Sequence, residues 1–86
     1  MEIVYTEKAI DDIIYWKKKR NDKIQIRISE LVDSIEIDPF KGIGKPEPLK
    51  YQLSGKWSRR IDKANRIIYE ITEELIIIHS LKGHYD

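Results

Sequence analysis

The chain has 86 residues, no cysteine, three prolines, and 16 basic against 15 acidic residues, for a formal net charge of +1. That is room for one domain whose core is small for its surface, and without cysteine neither disulfides nor thiolate metal sites are available. No run approaches the ~20 apolar residues of a membrane span, and "MEIVYTEK" lacks the basic start and apolar stretch of a secretory signal, so a single cytoplasmic domain over residues 1–86 is expected.

"EIVY" (2–5) is a short β-prone run, and Thr6 after it can cap a helix. From Glu7 the apolar residues fall at Ala9, Ile10, Ile13, Ile14 and Trp16, a helical stripe, with Asp11, Asp12, Lys17 and Lys18 elsewhere on the wheel. The polar "KKKRND" (17–22) ends that helix, and Asn21 or Asp22 can cap a second. Its stripe is Ile24, Ile28, Leu31, Val32 and Ile35, and it stops near Asp38, before Pro39. Two amphipathic helices with a short polar link read as a hairpin.

The loop 39–48 holds all three prolines, and two of them flank Glu47 in "KPEPL". Proline fixes φ and restricts the residue before it, so Glu47 is on stiff backbone. After the loop the apolar period changes to 2. "YQL" (51–53) leads through "SGK" to "WSRRI" (57–61), a hairpin signal. "RIIYEI" (66–71) and the strongly apolar "LIIIHSL" (75–81) follow as strands, with turns at 62–65 and 72–74. The order βααβββ, with room for an extra strand, implies an α+β sandwich.

Alternation sorts the side chains. Ile67, Tyr69 and Ile71 take the core face of their strand, which leaves Arg66, Ile68 and Glu70 on the other. Arg60 lies on the face opposite Trp57, Arg59 and Ile61. With the helices on one side of the sheet, function is expected on the other. His79, inside an apolar strand, reads as structural. His84, near the end of the chain after Gly83, is either catalytic or part of a simple tail.

Charge is unevenly spread. Residues 41–66 hold eight Lys/Arg and two Asp/Glu, whereas residues 1–40 hold seven against nine. A basic middle in an otherwise acidic chain is either a solvated face or a polyanion surface. The histidines lack metal-ligand spacing, no serine sits in a nucleophile elbow, and there is no phosphate-cradling Gly-rich loop. A carboxylate, a histidine and several arginines remain, without a cofactor. That set permits metal-free RNA cleavage. One group takes the proton of a ribose 2′-OH, a second protonates the leaving 5′-oxygen, and cations stabilise the charge on the phosphoryl oxygens.

The segment "PFKGIGKPEPLKYQLSGKWSRRIDKANRIIYEI", the terminal "HY" and "DDIIYW" near the start together resemble the YoeB/Txe group of the RelE/ParE toxin superfamily over almost the whole chain. The resemblance implies a RelE-like fold: an N-terminal strand, a two-helix hairpin and an antiparallel meander packed on the helices. It implies the toxin of a type II toxin–antitoxin system, an mRNA endonuclease working in the ribosomal A site. The implied partners are a YefM/Axe-like antitoxin, the ribosome and its message, and operator DNA only through the antitoxin complex; a homodimer is left open, and no membrane is involved. The family's acid/base glutamate falls on Glu47, its phosphate-binding arginine on Arg66, its near-terminal histidine on His84 and the adjacent tyrosine on Tyr85. The roles of Glu47 and His84 as base and acid are interchangeable. Lys45, Lys50, Arg59, Arg60 and Lys82 are the expected RNA- and phosphate-binding residues. Two departures stand out: Asp86 follows "HY", and "LKG" replaces the Cys-Arg pair common before the histidine. The alternative is a non-catalytic member that binds antitoxin or acts as a co-repressor.

Overall fold

A computed structural model describes residues 1–83; His84, Tyr85 and Asp86 lie outside the described residues. Thr6 joins the first two elements. Its Oγ1 accepts from the Ala9 amide at 3.2 Å, so strand β1 (Glu2–Tyr5) runs straight into helix α1 (Glu7–Lys18). Asn21 caps helix α2 (Asp22–Ile37) in the same way, accepting from the Ile24 amide at 3.1 Å. The chain then forms β2 (Glu47–Pro48), β3 (Lys56–Arg60), β4 (Arg66–Ile71) and β5 (Leu75–Ser80). The sheet order is β1-β5-β4-β3-β2. Neighbours from β2 to β5 are antiparallel, and β1 joins β5 in parallel. The architecture is the expected α+β one, with a mixed sheet in place of a pure meander.

The core forms where α2 offers Ile24, Ile28, Leu31 and Ile35, and α1 offers Ala9 and Trp16, to Ile67, Tyr69, Ile76 and Ile78 of the sheet. Both helices therefore cover one face. The α1 stripe is rotated from the expected one: Ile10 and Ile14 are exposed, and Asp12 is buried. Asp12 is drawn inward because its Oδ2 accepts from the Leu81 amide at 2.9 Å and from Lys8 Nζ at 2.7 Å. Trp16 Nε1 donates to Leu81 O at 2.9 Å. Helix α1 thus grips the end of β5 at both of Leu81's backbone groups.

"YQL" is not a strand. Tyr51–Leu53 makes a single 3-10 turn, and the strand pairing with β3 is Glu47–Pro48 instead. A proline has no N–H to give a ladder, and β2 tolerates one because it is the sheet's edge.

Candidate functional site

On the face away from the helices, register fixes which side chains meet. Glu47 pairs with Ser58, Ser58 with Ile68, and Arg60 with Arg66. Ile67 and Tyr69 are fully buried on the other face, so Arg66 and Ile68 point to the open one. Two inter-strand spacings across and two residues along put Glu47 and Arg66 about 12 Å apart at Cα, within reach of both long side chains. Arg66 is half-buried, and its Nη1 makes a weak contact of 3.5 Å with Asp62 O. A basic groove of about 400 Å³ is lined by Arg60, Lys63, Arg66 and, from α2, Arg27. Arg27 was not singled out in the sequence; it lies beside the apolar stripe and donates from Nη2 to Arg60 O at 3.4 Å.

Gly83, which covalently precedes His84, is tied to this corner. Its carbonyl accepts from the Arg66 amide at 2.8 Å, and its amide donates to Asn65 Oδ1 at 2.8 Å. His84 and Tyr85 themselves lie outside the described residues. Glu47 is exposed, and a second groove of about 280 Å³ beside it is lined by Lys50, Tyr51 and Gln52. Lys45 and Lys50 are exposed on either side of Glu47. Lys45 has φ 53°, a left-handed turn just before Pro46. Lys82 is exposed and sets its Nζ 4.4 Å from the Tyr15 ring centroid.

Arg59 departs from expectation. It is fully buried and cannot meet a phosphate from solvent. Its Nε donates to Tyr69 Oη at 3.1 Å, Nη1 to Ser34 Oγ at 2.7 Å and Ile43 O at 3.2 Å, and Nη2 to Asp38 O at 2.6 Å and Lys41 O at 3.0 Å. Those five bonds use every donor of a guanidinium. Tyr69 Oη in turn donates to Pro39 O at 2.6 Å. Burial raises the Tyr69 pKa above its usual value, and Arg59 pulls the other way. The basic residue that alternation put with the core is thus a knot beneath the loop leading to Glu47. His79 has a partly exposed ring, with Nε2 2.7 Å from Glu70 Oε1. Among the described residues, no three His, Asp or Glu side chains converge as metal ligands would.

A family model described as "YoeB-like toxin of bacterial type II toxin-antitoxin system" matches residues 5–85. The chain is 44% identical to "Toxin YoeB" of Streptomyces coelicolor over 85 residues, covering 99% of this chain and 100% of that one. It resembles the solved "YoeB/ParE toxin from Agrobacterium tumefaciens" with a TM-score of 0.94 and 32% identity, over 99% of this chain and 100% of that one. A "YoeB-YefM complex from Staphylococcus aureus" matches with a TM-score of 0.87 and 38% identity, over 99% of this chain and 98% of that one.

Proposed function

The chain belongs to the YoeB-like toxins of bacterial type II toxin–antitoxin systems, and on that premise we propose that it is a ribosome-dependent endoribonuclease that cuts mRNA in the A site without a metal ion. One observation carries the proposal: Arg60 and Arg66 are directly opposed across a ladder on the open face. Like charges so placed repel each other. An anion between them removes the penalty, and a phosphodiester is the anion that a row of cations beside a carboxylate suits.

In this reading Glu47 takes the proton of the 2′-OH. The 2′-oxygen attacks phosphorus, the bond to the 5′-oxygen breaks, and His84 protonates that oxygen. The product is a 2′,3′-cyclic phosphate. The acid and base roles of Glu47 and His84 are interchangeable on the same balance. Arg66 binds the non-bridging oxygens as their charge grows. Lys45, Lys50, Arg60 and Lys82 hold neighbouring phosphates, and Tyr85 orients the nucleotide. The anchoring of Gly83 to the Arg66 backbone supports the pairing of His84 with this corner. The partner is a YefM/Axe-like antitoxin, the compartment the cytoplasm, and operator DNA is met only through the antitoxin complex; the whole chain acts as a single domain.

The test is chemical. A message with 2′-deoxyribose at the cleavage position should resist the protein on programmed ribosomes. Normal message should give 2′,3′-cyclic phosphate ends, and EDTA should have no effect. Cleavage of the deoxy message, or inhibition by EDTA that a divalent ion reverses, would overturn the mechanism. No cleavage of any message, with tight antitoxin binding retained, would favour the non-catalytic member.

A further inference from the structure

We propose that the open face carries a second recess, centred on His79, that holds one base of the message next to the scissile phosphate and sets which codons are cut. The proposal rests on the nuclease reading and adds a specificity residue to it.

The recess has about 410 Å³ and is lined by Leu53, Lys56, Ile68, His79, Ser80 and Lys82. Leu53 and Ile68 give it an apolar floor, and polar groups stand around the rim. That combination suits a flat, weakly polar ring with hydrogen-bonding edges, which describes a nucleobase splayed from single-stranded RNA. Lys8, Lys56 and Lys82 would draw a bare phosphate to the rim, but only a base would also use the apolar floor.

His79 faces the recess by strand alternation, next to the buried Ile78, and a register shift follows it. Ile68 pairs with Ser80 while Tyr69 pairs with Ile78, so His79 is the extra residue of a bulge. Bulges re-aim side chains, often near functional sites. Its ring is then held: Nε2 lies 2.7 Å from Glu70 Oε1. Because a carboxylate only accepts, Nε2 carries the proton. In the neutral ring Nδ1 is left as an acceptor, and among the described residues nothing occupies it. Lys56, directly opposite Glu70 in the ladder, supplies a donor. An acceptor and a donor on one rim can read the edge of a base.

Position supports a base rather than an unrelated ligand. Ile68, on the recess floor, ends the row that starts at Glu47 and passes Ser58. Arg66 is two residues along β4 on the same face, about 7 Å away at Cα. A phosphate on Arg66 therefore puts an adjoining base over the recess.

The experiment compares relative cleavage rates, which the amount of folded protein does not change. Ribosomes programmed with messages that differ by one base at each codon position would be treated with the native chain, His79→Ala and His79→Gln. The native chain should prefer certain bases at one position by about tenfold, the worth of one well-made hydrogen bond. His79→Ala should flatten that preference at that position alone, and His79→Gln should restore part of it. Base ratios unchanged in His79→Ala, or no preference in the native chain, would overturn the proposal while leaving the nuclease reading intact. A native chain that cuts none of the messages would remove both.

Discussion

Arg59 and Arg66 carry the same guanidinium into opposite surroundings. Arg59 spends all its donors on Ser34, Tyr69 and three loop carbonyls, whereas Arg66 has only a 3.5 Å contact to Asp62 O among the described side-chain interactions. A group with donors to spare on an open face can take a phosphate; one fully satisfied and buried cannot. Arg66→Ala should therefore lower cleavage by about 10²–10³, the cost of losing one preorganised donor at a developing charge. Its melting should move little, since a half-exposed residue away from the core typically changes stability by about 0.5 kcal/mol or less. Arg66→Lys should recover only part of the rate, because the charge returns without the bidentate fork. Cleavage on programmed ribosomes and a thermal melt read the two halves separately. Normal cleavage by Arg66→Ala, or a collapsed melt, would remove Arg66 from the site.

Polar contacts to Arg59 hold the loop of residues 38–45 alongside the Phe40–Trp57 ring contact, and glycine makes the polar contacts reachable. Gly42 has φ 129°, and a Cβ there would overlap Ser34 Oγ and come 2.9 Å from Arg59 Nη1. Gly55 has φ 92° with nothing near its Cβ position. Both replacements by alanine incur backbone strain, and only Gly42→Ala also pushes on the knot. Gly42→Ala should cost about 1–3 kcal/mol more than Gly55→Ala. Paired urea melts would show it; equal losses would mean that the loop does not depend on Arg59. Elements with a local period were legible from sequence: both helices, their Thr6 and Asn21 caps, and strands β3 to β5. So was the outward face of Arg60 and Arg66, because strand alternation is local. The pairing of β1 with β5 joins opposite ends of the chain, and no local pattern encodes it. The edge strand at Glu47–Pro48 was hidden by its prolines. Asp12 was misplaced, and Arg59 was given a phosphate-binding role it cannot fill, because each is held by backbone groups, the Leu81 amide and the loop carbonyls, that sequence does not display. The bulge at His79 shifts the phase that alternation relies on, so Ser80 faces the open side and Leu81 is buried.

At the scale of the whole molecule the two sides are chemically different. The sheet's open face carries the basic row, and the far side presents Ile10 and Ile14 on α1 and Ile26 and Ile37 on α2, each exposed. Among the described residues no helix is long and apolar enough to cross a membrane. An antitoxin rich in apolar and acidic side chains, disordered when free, could lie along the helices and continue past the sheet edge to the basic corner. The corner is where Gly83 hangs on Arg66 and Asn65, two hydrogen bonds on an exposed glycine. Two such bonds are worth about 1–3 kcal/mol together, less than a coupled folding interface of ordinary size supplies. The antitoxin should therefore inhibit by changing or shielding residues 82–86 as well as by blocking entry to the ribosome. Hydrogen exchange or NMR of those residues, with and without antitoxin, would show altered signals there and at Arg66. If an inhibited complex leaves both unchanged, inhibition comes only from bulk that keeps the toxin off the ribosome. In that case a truncated antitoxin confined to the helix face should inhibit as well as the full one.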